Sequence, residues 1–488
     1  MTDIETLSLK ETRGGFRIYL NNFNLKKIGF EAGQGFEEIH EEGRIRVVLN
    51  PDSKRKVLPS DKGPLMDLRN KKIGETLPDC DRVTVEYKKG EVVLGVYHHT
   101  KRVSEREKAF ISRARKGVAL RMGELFAGIG LLSKQLHLGL LAAGVMSSMA
   151  FANELERLPA DVNSNSNPIW QVTEPNAVFV QDDIMTMDKS LVPKLDCLVI
   201  GYPCTPFSRQ QGANRKRDLE HDAGTLFIPT LDVINRANPA LVVLENSDNM
   251  LSSQTLALMD SVMDKTGYYR TETVLNGHEH GDFERRKRLC LVWVSKGLTG
   301  LDMSTLVGDT QSARKVKDIL EPMSFNDKAW RDMSHVAKKN NETSHNHKMC
   351  VVSDDDTTMA TIPATYAKIK ADTPLVAHPT DSGLHRLVTV SEHANVRRME
   401  GDYKQAVVSV GAGTHHLTSR TNATGAHMML GNAVNPQAWS AAGEHIGRWI
   451  MTKVNPVKVP TITSIATTQK TSFIDTTVEN SGQMALLI

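Results

Sequence analysis

Cys204 stands between two prolines in GYPCTPFS, directly after the apolar run DCLVI. A cysteine past a strand end, beside basic and polar residues, can hold its thiolate and be reached. Glu245 ends a second apolar run, PALVVLEN, and can act as the acid partner. A nucleophile and an acid at the ends of adjacent strands point to covalent catalysis with a proton donor. Arg286 and Arg288, in ERRKR, lead into a third apolar run, RLCLVWVS, which Arg288 begins. Most free cysteines are inert core residues. That reading is assigned to Cys197 and Cys290, which lie inside apolar strands.

A second set of residues has the pattern of a nucleoside-binding sheet. ELFAGIG, Glu124 to Gly130, ends an apolar run in glycines. Such glycines let a ligand approach backbone at a helix N-terminus. Glu154 follows the next strand, where an acid can hold ribose hydroxyls. Asp183, in VQDDI, follows a third. Alone, the glycines read equally as a turn packing helix on strand, and Glu154 as a surface acid. Three such features in strand order together point to a nucleoside site.

These side chains need a sheet to bring them to one edge. From Ala119 the strands ALRMGELFAG, SSMAFANE, DCLVIGYP, PALVVLEN and RLCLVWVS alternate with helices. The helices are GLLSKQLHLGLLAAG, GTLFIPTLDVINRAN and SQTLALMDSVMDKTG. This order predicts a mainly parallel, doubly wound sheet, with ligands beyond the carboxyl ends of its strands. From about Lys296 to Leu384 the rhythm is lost in polar sequence; it returns in LGNAVNPQAWSAAGEHIGRWI.

The first hundred residues read differently. FEEIHEEGRIRVVL (Phe36 to Leu49) parallels RVTVEYKKGEVVLGV (Arg82 to Val96), each a strand, a charged turn with Gly, and a strand. A single hairpin is marginal alone, so the two are expected to pack as one β unit. The first copy is similar to the swapped-hairpin DNA-binding modules of bacterial regulators and toxin–antitoxin proteins. A small β-rich packing domain is the other reading. KRVSEREKAFISRARK then leads into the sheet as a basic helix.

With 40% hydrophobic and 24% charged residues, the chain reads as soluble and globular. No run approaches the roughly 18 apolar residues of a membrane span, and MTDIETLSLKETRGG lacks a signal-peptide core. None of the five cysteines pair as C-x-x-C, which argues against structural zinc or disulfides and for a reducing, cytoplasmic home. The net charge of +3 decides little. The basic runs Lys101 to Lys116, Arg209 to Arg217 and Arg285 to Arg288 say more, since two flank candidate site loops and point to a polyanion. His345 with His347, or His415 with His416, could suggest a metal. No carboxylate or cysteine completes a set at familiar spacing, so none is expected.

Taken in order from Arg121 to Ile450, these motifs resemble the DNA cytosine-5 methyltransferases that use S-adenosyl-L-methionine. FAGIG, with Phe126, Gly128, Ile129 and Gly130, resembles the methionine-binding loop. Glu154 resembles the ribose acid, and Asp183 and Ile184 the adenine contact. PCTPFS, with Pro203 on the cofactor side and Cys204 as nucleophile, resembles the nucleophile loop, and GTLF the helix that follows. ENS resembles the acid strand, ERRKR the arginine pair, and GNAVNP, with Asn432, Ala433 and Val434, the closing motif beside the cofactor. RLVTVSEHANVRRMEGDY resembles the scaffold segment, with irregular spacing. Four departures stand out. Thr205 and Glu284 replace Gln, Ser247 replaces Val, and Ala433 replaces Ser.

The resemblance implies an α/β fold: a doubly wound, Rossmann-like class I methyltransferase sheet with a β-rich N-terminal domain and a small irregular target recognition region. The expected division is 1–115 for the β-rich domain with its hairpin repeat and basic linker, and 116–295 for the catalytic core. Residues 296–384 form the recognition region, 385–452 the return to the core, and 453–488 a flexible tail. The implied reaction begins with Cys204 adding to C6 of cytosine. Glu245 holds N3 and the 4-amino group, Arg286 orients the base at O2, and Arg288 supports that loop or the phosphates. The base must leave the stack to be reached, and the prolines stiffen the loop that holds the sulfur against it. Thr361 to Lys370, TIPATYAKIK, is the candidate for major-groove readout.

The implied partners are double-stranded DNA and a cognate restriction nuclease, with no membrane. The chain is expected to be a monomer in a prokaryotic cytoplasm, encoded by a bacterium, phage or plasmid. Two rivals remain: an RNA cytosine-5 methyltransferase, and a catalytically silent DNA-binding regulator, against which the intact Cys204 and Glu245 argue. An N6-adenine or N4-cytosine enzyme would need an Asn/Asp/Ser-Pro-Pro-aromatic motif, which the sequence lacks.

Overall fold

The computed structural model describes residues 3–21, 23–78, 80–207, 216–308, 314–340, 349–369 and 373–454. Arg209 to Arg215, His345, His347, Lys370 and the tail beyond Val454 lie outside the described residues.

The N-terminal region forms two antiparallel sheets around one apolar core. Its strands are β1 (Asp3–Ser8), β2 (Lys10–Thr12), β3 (Gly15–Asn21), β4 (Phe36–Glu41), β5 (Arg44–Leu49), β6 (Leu65–Asn70), β7 (Arg82–Lys88) and β8 (Glu91–Val96). Short helices α1 (Phe23–Lys27) and α2 (Lys72–Thr76) accompany them. The larger sheet runs β1-β7-β8-β5-β4 and the smaller β2-β3-β6. The two hairpins read from the sequence are β4–β5 and β7–β8. They join edge to edge, with Ile45 opposite Leu94 and Val47 opposite Val92, all four fully buried. The smaller sheet, which sequence reading missed, covers that core with Ile18, Leu20, Met66 and Leu68.

Helix α3 (His98–Arg115) follows, and it is fixed to the central sheet rather than to the hairpins. Its Arg106 is buried. The guanidinium donates to Ser295 Oγ at 2.8 Å and to the Gly267 carbonyl at 2.6 Å, and lies 3.7 Å over the Tyr268 ring. Glu107 accepts from the Gly297 N–H at 2.8 Å.

The central sheet comprises β9 (Leu120–Leu125), β10 (Ser147–Glu154), β11 (Thr173–Gln181), β12 (Cys197–Gly201), β13 (Leu241–Asn246), β14 (Tyr268–Asn276) and β15 (Lys287–Ser295). Its order is β11-β10-β9-β12-β13-β15-β14. The first five strands are mutually parallel, and β15 runs antiparallel to both neighbours. The sheet is therefore mixed but mainly parallel. Helices α4 (Leu131–Ala142), α5 (Arg157–Ser166), α6 (Phe227–Ala237) and α7 (Gln254–Lys265) connect these strands. Apolar residues of α6 and α7 cover one face, while α3 and α4 cover the other.

An insertion after β15 holds β16 (Arg331–Asp332), α8 (Ser334–Asn340), β17 (Cys350–Val352), β18 (Pro374–Ala377) and β19 (Leu384–Arg386). Its sheet runs β16-β19-β18-β17 over a separate small core. Helices α9 (Val390–Val396), α10 (Gly401–Ala412), α11 (Ala423–Asn432) and α12 (Pro436–Val454) bring the chain back. α12 lies against α4 at backbone distance: a Cβ on Gly139 would stand 2.0 Å from the Ser440 carbonyl oxygen. Among the described residues, no helix is long and apolar enough to cross a membrane.

Candidate active site

Parallel strands deliver their carboxyl ends to one edge, and the glycine loop begins there at the end of β9. Phe126 has φ +54° although it is not glycine, and Gly128 has φ +52°. Backbone in that region is costly for a bulky side chain and persists where the surroundings hold it. Here the Phe126 ring packs edge-on to Tyr202, with centroids 5.5 Å apart. Gly130 is the N-cap of α4, with φ +79° and no side-chain cap. A Cβ on Gly130 would strike the Asn163 and Asn167 amides, whereas one on Gly128 would meet nothing within 4 Å. Open space thus lies over the middle of the loop. Ile129 is buried, and its carbonyl accepts from Tyr403 Oη at 2.6 Å.

Glu154 reaches this loop from the end of β10. One carboxylate oxygen accepts from the Gly128 N–H at 2.6 Å and the other from the Glu156 N–H at 2.9 Å. Burial pushes its carboxyl above the ordinary range, against those two hydrogen bonds. Asp183 and Ile184 follow β11. The Asp183 side chain accepts from the Met185 N–H at 2.9 Å, and Ile184 is buried. Asn153, absent from the sequence-based set, bridges the two strand ends by donating to the carbonyls of Val180 and Asp182.

Cys204 follows β12 and is half-buried. Asn246, at the end of β13, donates to the Tyr202 carbonyl at 3.0 Å, and Asn249 donates to the Phe207 carbonyl at 3.0 Å. The Pro-Cys-Thr-Pro turn is thus held at both ends by the segment that carries Glu245. Pairing of β12 with β13 sets Gly201 opposite Glu245, three residues before the cysteine. The other strand cysteines stay inert: burial raises the Cys197 thiol to about 12, and it also raises that of Cys290.

Because β15 is reversed, its first residues lie at the same edge, with Leu289 opposite Asn246. Arg288 Nε is 3.0 Å from Glu245 Oε1. Burial raises the Glu245 carboxyl, while Arg288 and Arg286 oppose that shift. Arg286 is buried more deeply and donates to the Gly431 carbonyl at 2.6 Å; among the described residues its Nε has no hydrogen-bond partner.

Glu284, one of the departures, is fully buried in an ion pair with Arg397 of the scaffold segment. It also accepts from the Ile362 N–H at 2.7 Å and from the Asn435 amide at 3.4 Å. Burial works to raise its carboxyl, but Arg397 and Arg286 hold it below the ordinary range. In the closing motif, Ala433 and Val434 join the apolar cluster that contains Ala127 and Ile129. Asn432 is exposed, and among the described residues no side-chain hydrogen bond ties it to the glycine loop.

Two expectations change. Thr361 to Lys370 is not an open reading loop over its described part. Ile362 and Tyr366 are fully buried, and Tyr366 Oη donates to the Pro374 carbonyl at 2.6 Å. The segment braces the insertion against Glu284 and leaves Thr365 and Lys368 exposed. The histidines near α11 do have a carboxylate beside them, brought from α5. Asp161 lies 3.2 Å from His415 Nε2 and 3.1 Å from His416 Nε2. His415 Nδ1 accepts from the Leu417 N–H, which leaves Nε2 facing Asp161. The trio joins α5 to the loop after α10, and its ligand atoms lie within 4.8 Å of one another, a set that the sequence spacing did not show.

The family model for C-5 cytosine-specific DNA methylase matches residues 120–448. The chain is 28% identical over 191 residues to the type II methyltransferase M.Sau96I of Staphylococcus aureus, covering 38% of this chain and 42% of that protein. It is 29% identical over 177 residues to the type II methyltransferase M.Bsp6I of a Bacillus strain, covering 36% and 51%. The chain thus spans about half the length of these curated relatives. Among solved structures, the Entamoeba histolytica methyltransferase EhMeth superposes with a TM-score of 0.50 at 14% identity. That match covers 69% of this chain and 98% of the other, a likeness of fold.

Proposed function

The chain belongs to the C-5 cytosine-specific DNA methylase family, and from that premise we propose that it transfers a methyl group to C5 of a flipped cytosine in double-stranded DNA. One observation carries the reading: the Cys204 turn, Glu245 and Arg288 share one sheet edge, joined by Asn246 and the Arg288–Glu245 pair.

S-adenosyl-L-methionine, the family's methyl donor, supplies an electrophilic methyl on sulfonium. The residues present fit it. Space is open above Gly128, and the α4 N-terminus lacks a side-chain cap, which favours a carboxylate there. Glu154 is the acid for the ribose hydroxyls, and Asp183 with Ile184 borders the adenine. Phe126, Ile129 and Gly130 shape the floor, with Pro203 and Asn432 to Val434 closing the sides.

Cytosine C5 is a poor nucleophile until a thiolate adds to C6. Cys204 forms that bond, and the electron pair moves to C5, which takes the methyl group. Water then takes the C5 proton, the C5–C6 double bond re-forms, and the C6–S bond breaks to release the thiolate. Glu245 holds N3 and the 4-amino group. Its raised carboxyl keeps a proton available for N3 as charge builds on the ring. Arg288, beside Glu245 and partly exposed, is the better placed cation for O2. Arg286, bonded to Gly431, positions the closing motif. Arg288 thus takes the O2 role expected of Arg286. The insertion at 296–384 is the target recognition region, and the catalytic unit begins with α3 rather than at residue 116.

Bisulfite sequencing of DNA from cells expressing the chain tests the proposal. Protected cytosines should appear at one recurring sequence and vanish with Cys204→Ser. Full conversion in cells making folded, cofactor-binding protein would refute it.

A further inference from the structure

The Gly14–Gly15 turn of the N-terminal region gathers cations that make no ion pair among the described residues. We propose that Lys10, Arg13, Arg69, Lys71 and Lys72 form a docking surface for the phosphate backbone of duplex DNA. The proposal rests on the function proposed above for the identity of the polyanion, and it adds where on the chain that polyanion is held outside the catalytic edge.

Register brings the five together. In the smaller sheet Lys10 lies opposite Arg17, and Arg17 opposite Arg69. Ile18, Leu20, Met66 and Leu68 fill the inner face, so this row faces outward. Gly15, with φ +114°, lets the turn carrying Arg13 close on the start of α2. A Cβ there would stand 2.5 Å from the Asn70 carbonyl carbon and 2.6 Å from Lys71 N. The Arg69 guanidinium lies over Gly14, whose Cβ would be 3.1 Å from Nη2. All five side chains are exposed.

Several other cations of the region are neutralised in place. Arg17 pairs with Asp67, Arg44 with Glu41, Arg46 with Glu91 and Arg55 with Glu38. Among the described residues, none of the five makes an ion pair. Residues 1–100 hold 17 Lys and Arg against 16 Asp and Glu, so the region as a whole is nearly neutral; what marks this turn is that strand register and the close approach at Gly15 place five exposed, unpaired cations side by side. Unpaired cations concentrated on one surface are the footprint of a polyanion site. Phosphate contacts by such groups release counterions, so affinity falls with salt.

The test uses the full chain carrying K10Q/R13Q/R69Q/K71Q/K72Q, and a milder R13Q/K71Q variant that keeps the experiment readable if the fivefold change unfolds. Fluorescence anisotropy of an arbitrary duplex is followed from 50 to 200 mM salt. Each lost phosphate contact should reduce the logarithmic salt slope by ~0.9. The fivefold variant should therefore lose about 2 or more in slope and at least about tenfold in affinity at low salt, with the double variant between. KM for DNA should rise while kcat and S-adenosyl-L-methionine affinity hold. Wild-type slope and affinity in both variants would overturn the surface, and so would loss confined to an acidic-peptide probe. A wild type that neither binds duplex nor methylates it would overturn the function first, and this surface with it.

Discussion

Arg288 Nε stands 3.0 Å from Glu245 Oε1, and the two meet only because β15 runs against β13. Arg288 opposes the upward push of burial on the Glu245 carboxyl. Removing its charge should let that carboxyl rise further. In a pH–rate profile of methyl transfer, Arg288→Ala should be slower, with its alkaline limb moved to higher pH. An alkaline limb unmoved by the substitution would remove Glu245 from the proton-holding role.

Glu154→Ala should weaken S-adenosyl-L-methionine binding by about 1–3 kcal/mol, the cost of leaving paired polar groups without partners. Calorimetry measures it directly. The Gly128 N–H also loses its acceptor, so the change reports on loop and acid together. An unchanged dissociation constant would detach the end of β10 from the cofactor.

Glu124, buried in β9 against Ser133, has its carboxyl raised to about 8 by burial. A carboxyl raised on folding stabilises most below its unfolded value, about 4.3. That stability is lost as pH rises through about 8. Between pH 7 and 9 the loss should be on the order of 1 kcal/mol. Glu124→Gln can keep both contacts with Ser133 without titrating. Denaturant unfolding should therefore show the variant gaining on wild type from pH 7 to 9. Parallel curves would contradict the assignment.

Arg397→Met should cost about 3–5 kcal/mol, because it strands the Glu284 carboxylate in the core. Adding Glu284→Met should recover much of that loss. A double variant as unstable as the single would mean the pair matters through shape and not charge.

Much of this edge was legible because its strands are continuous apolar runs that end abruptly. DCLVIG stops before Pro203-Cys204, and PALVVL stops at Glu245-Asn246. β14 was missed because it is an edge strand, and YRTET carries its polar residues on partly exposed positions. TIPATYAKIK read as a groove-facing segment because two buried residues, Ile362 and Tyr366, are hidden among small and polar ones. Arg106 looked like one more charge in a basic helix. Its burial depends on the Thr266 and Gly267 carbonyls and Tyr268, far along the chain. Asp161 beside His415 is the same case, a pairing made by the fold alone.

The Arg106 anchor also predicts where the chain can be cut. A variant lacking residues 1–97 keeps α3 and should fold and bind S-adenosyl-L-methionine as wild type does. One lacking residues 1–115 exposes the β14–β15 end of the core and should unfold or lose several kcal/mol. Far-UV circular dichroism with cofactor calorimetry on both would decide it. Equal behaviour of the two truncations would show that α3 is dispensable.

Cys204 is proposed to form the covalent bond to cytosine. A 5-fluorocytosine duplex has no C5 proton to lose, so methyl transfer should stall with the enzyme attached to DNA. Wild type incubated with that duplex, bearing its recognition sequence, and labelled S-adenosyl-L-methionine should give a denaturation-resistant complex. Cys204→Ser should give none while still binding cofactor, since a hydroxyl is a far weaker nucleophile at neutral pH. Equal trapping by Cys204→Ser would contradict the account.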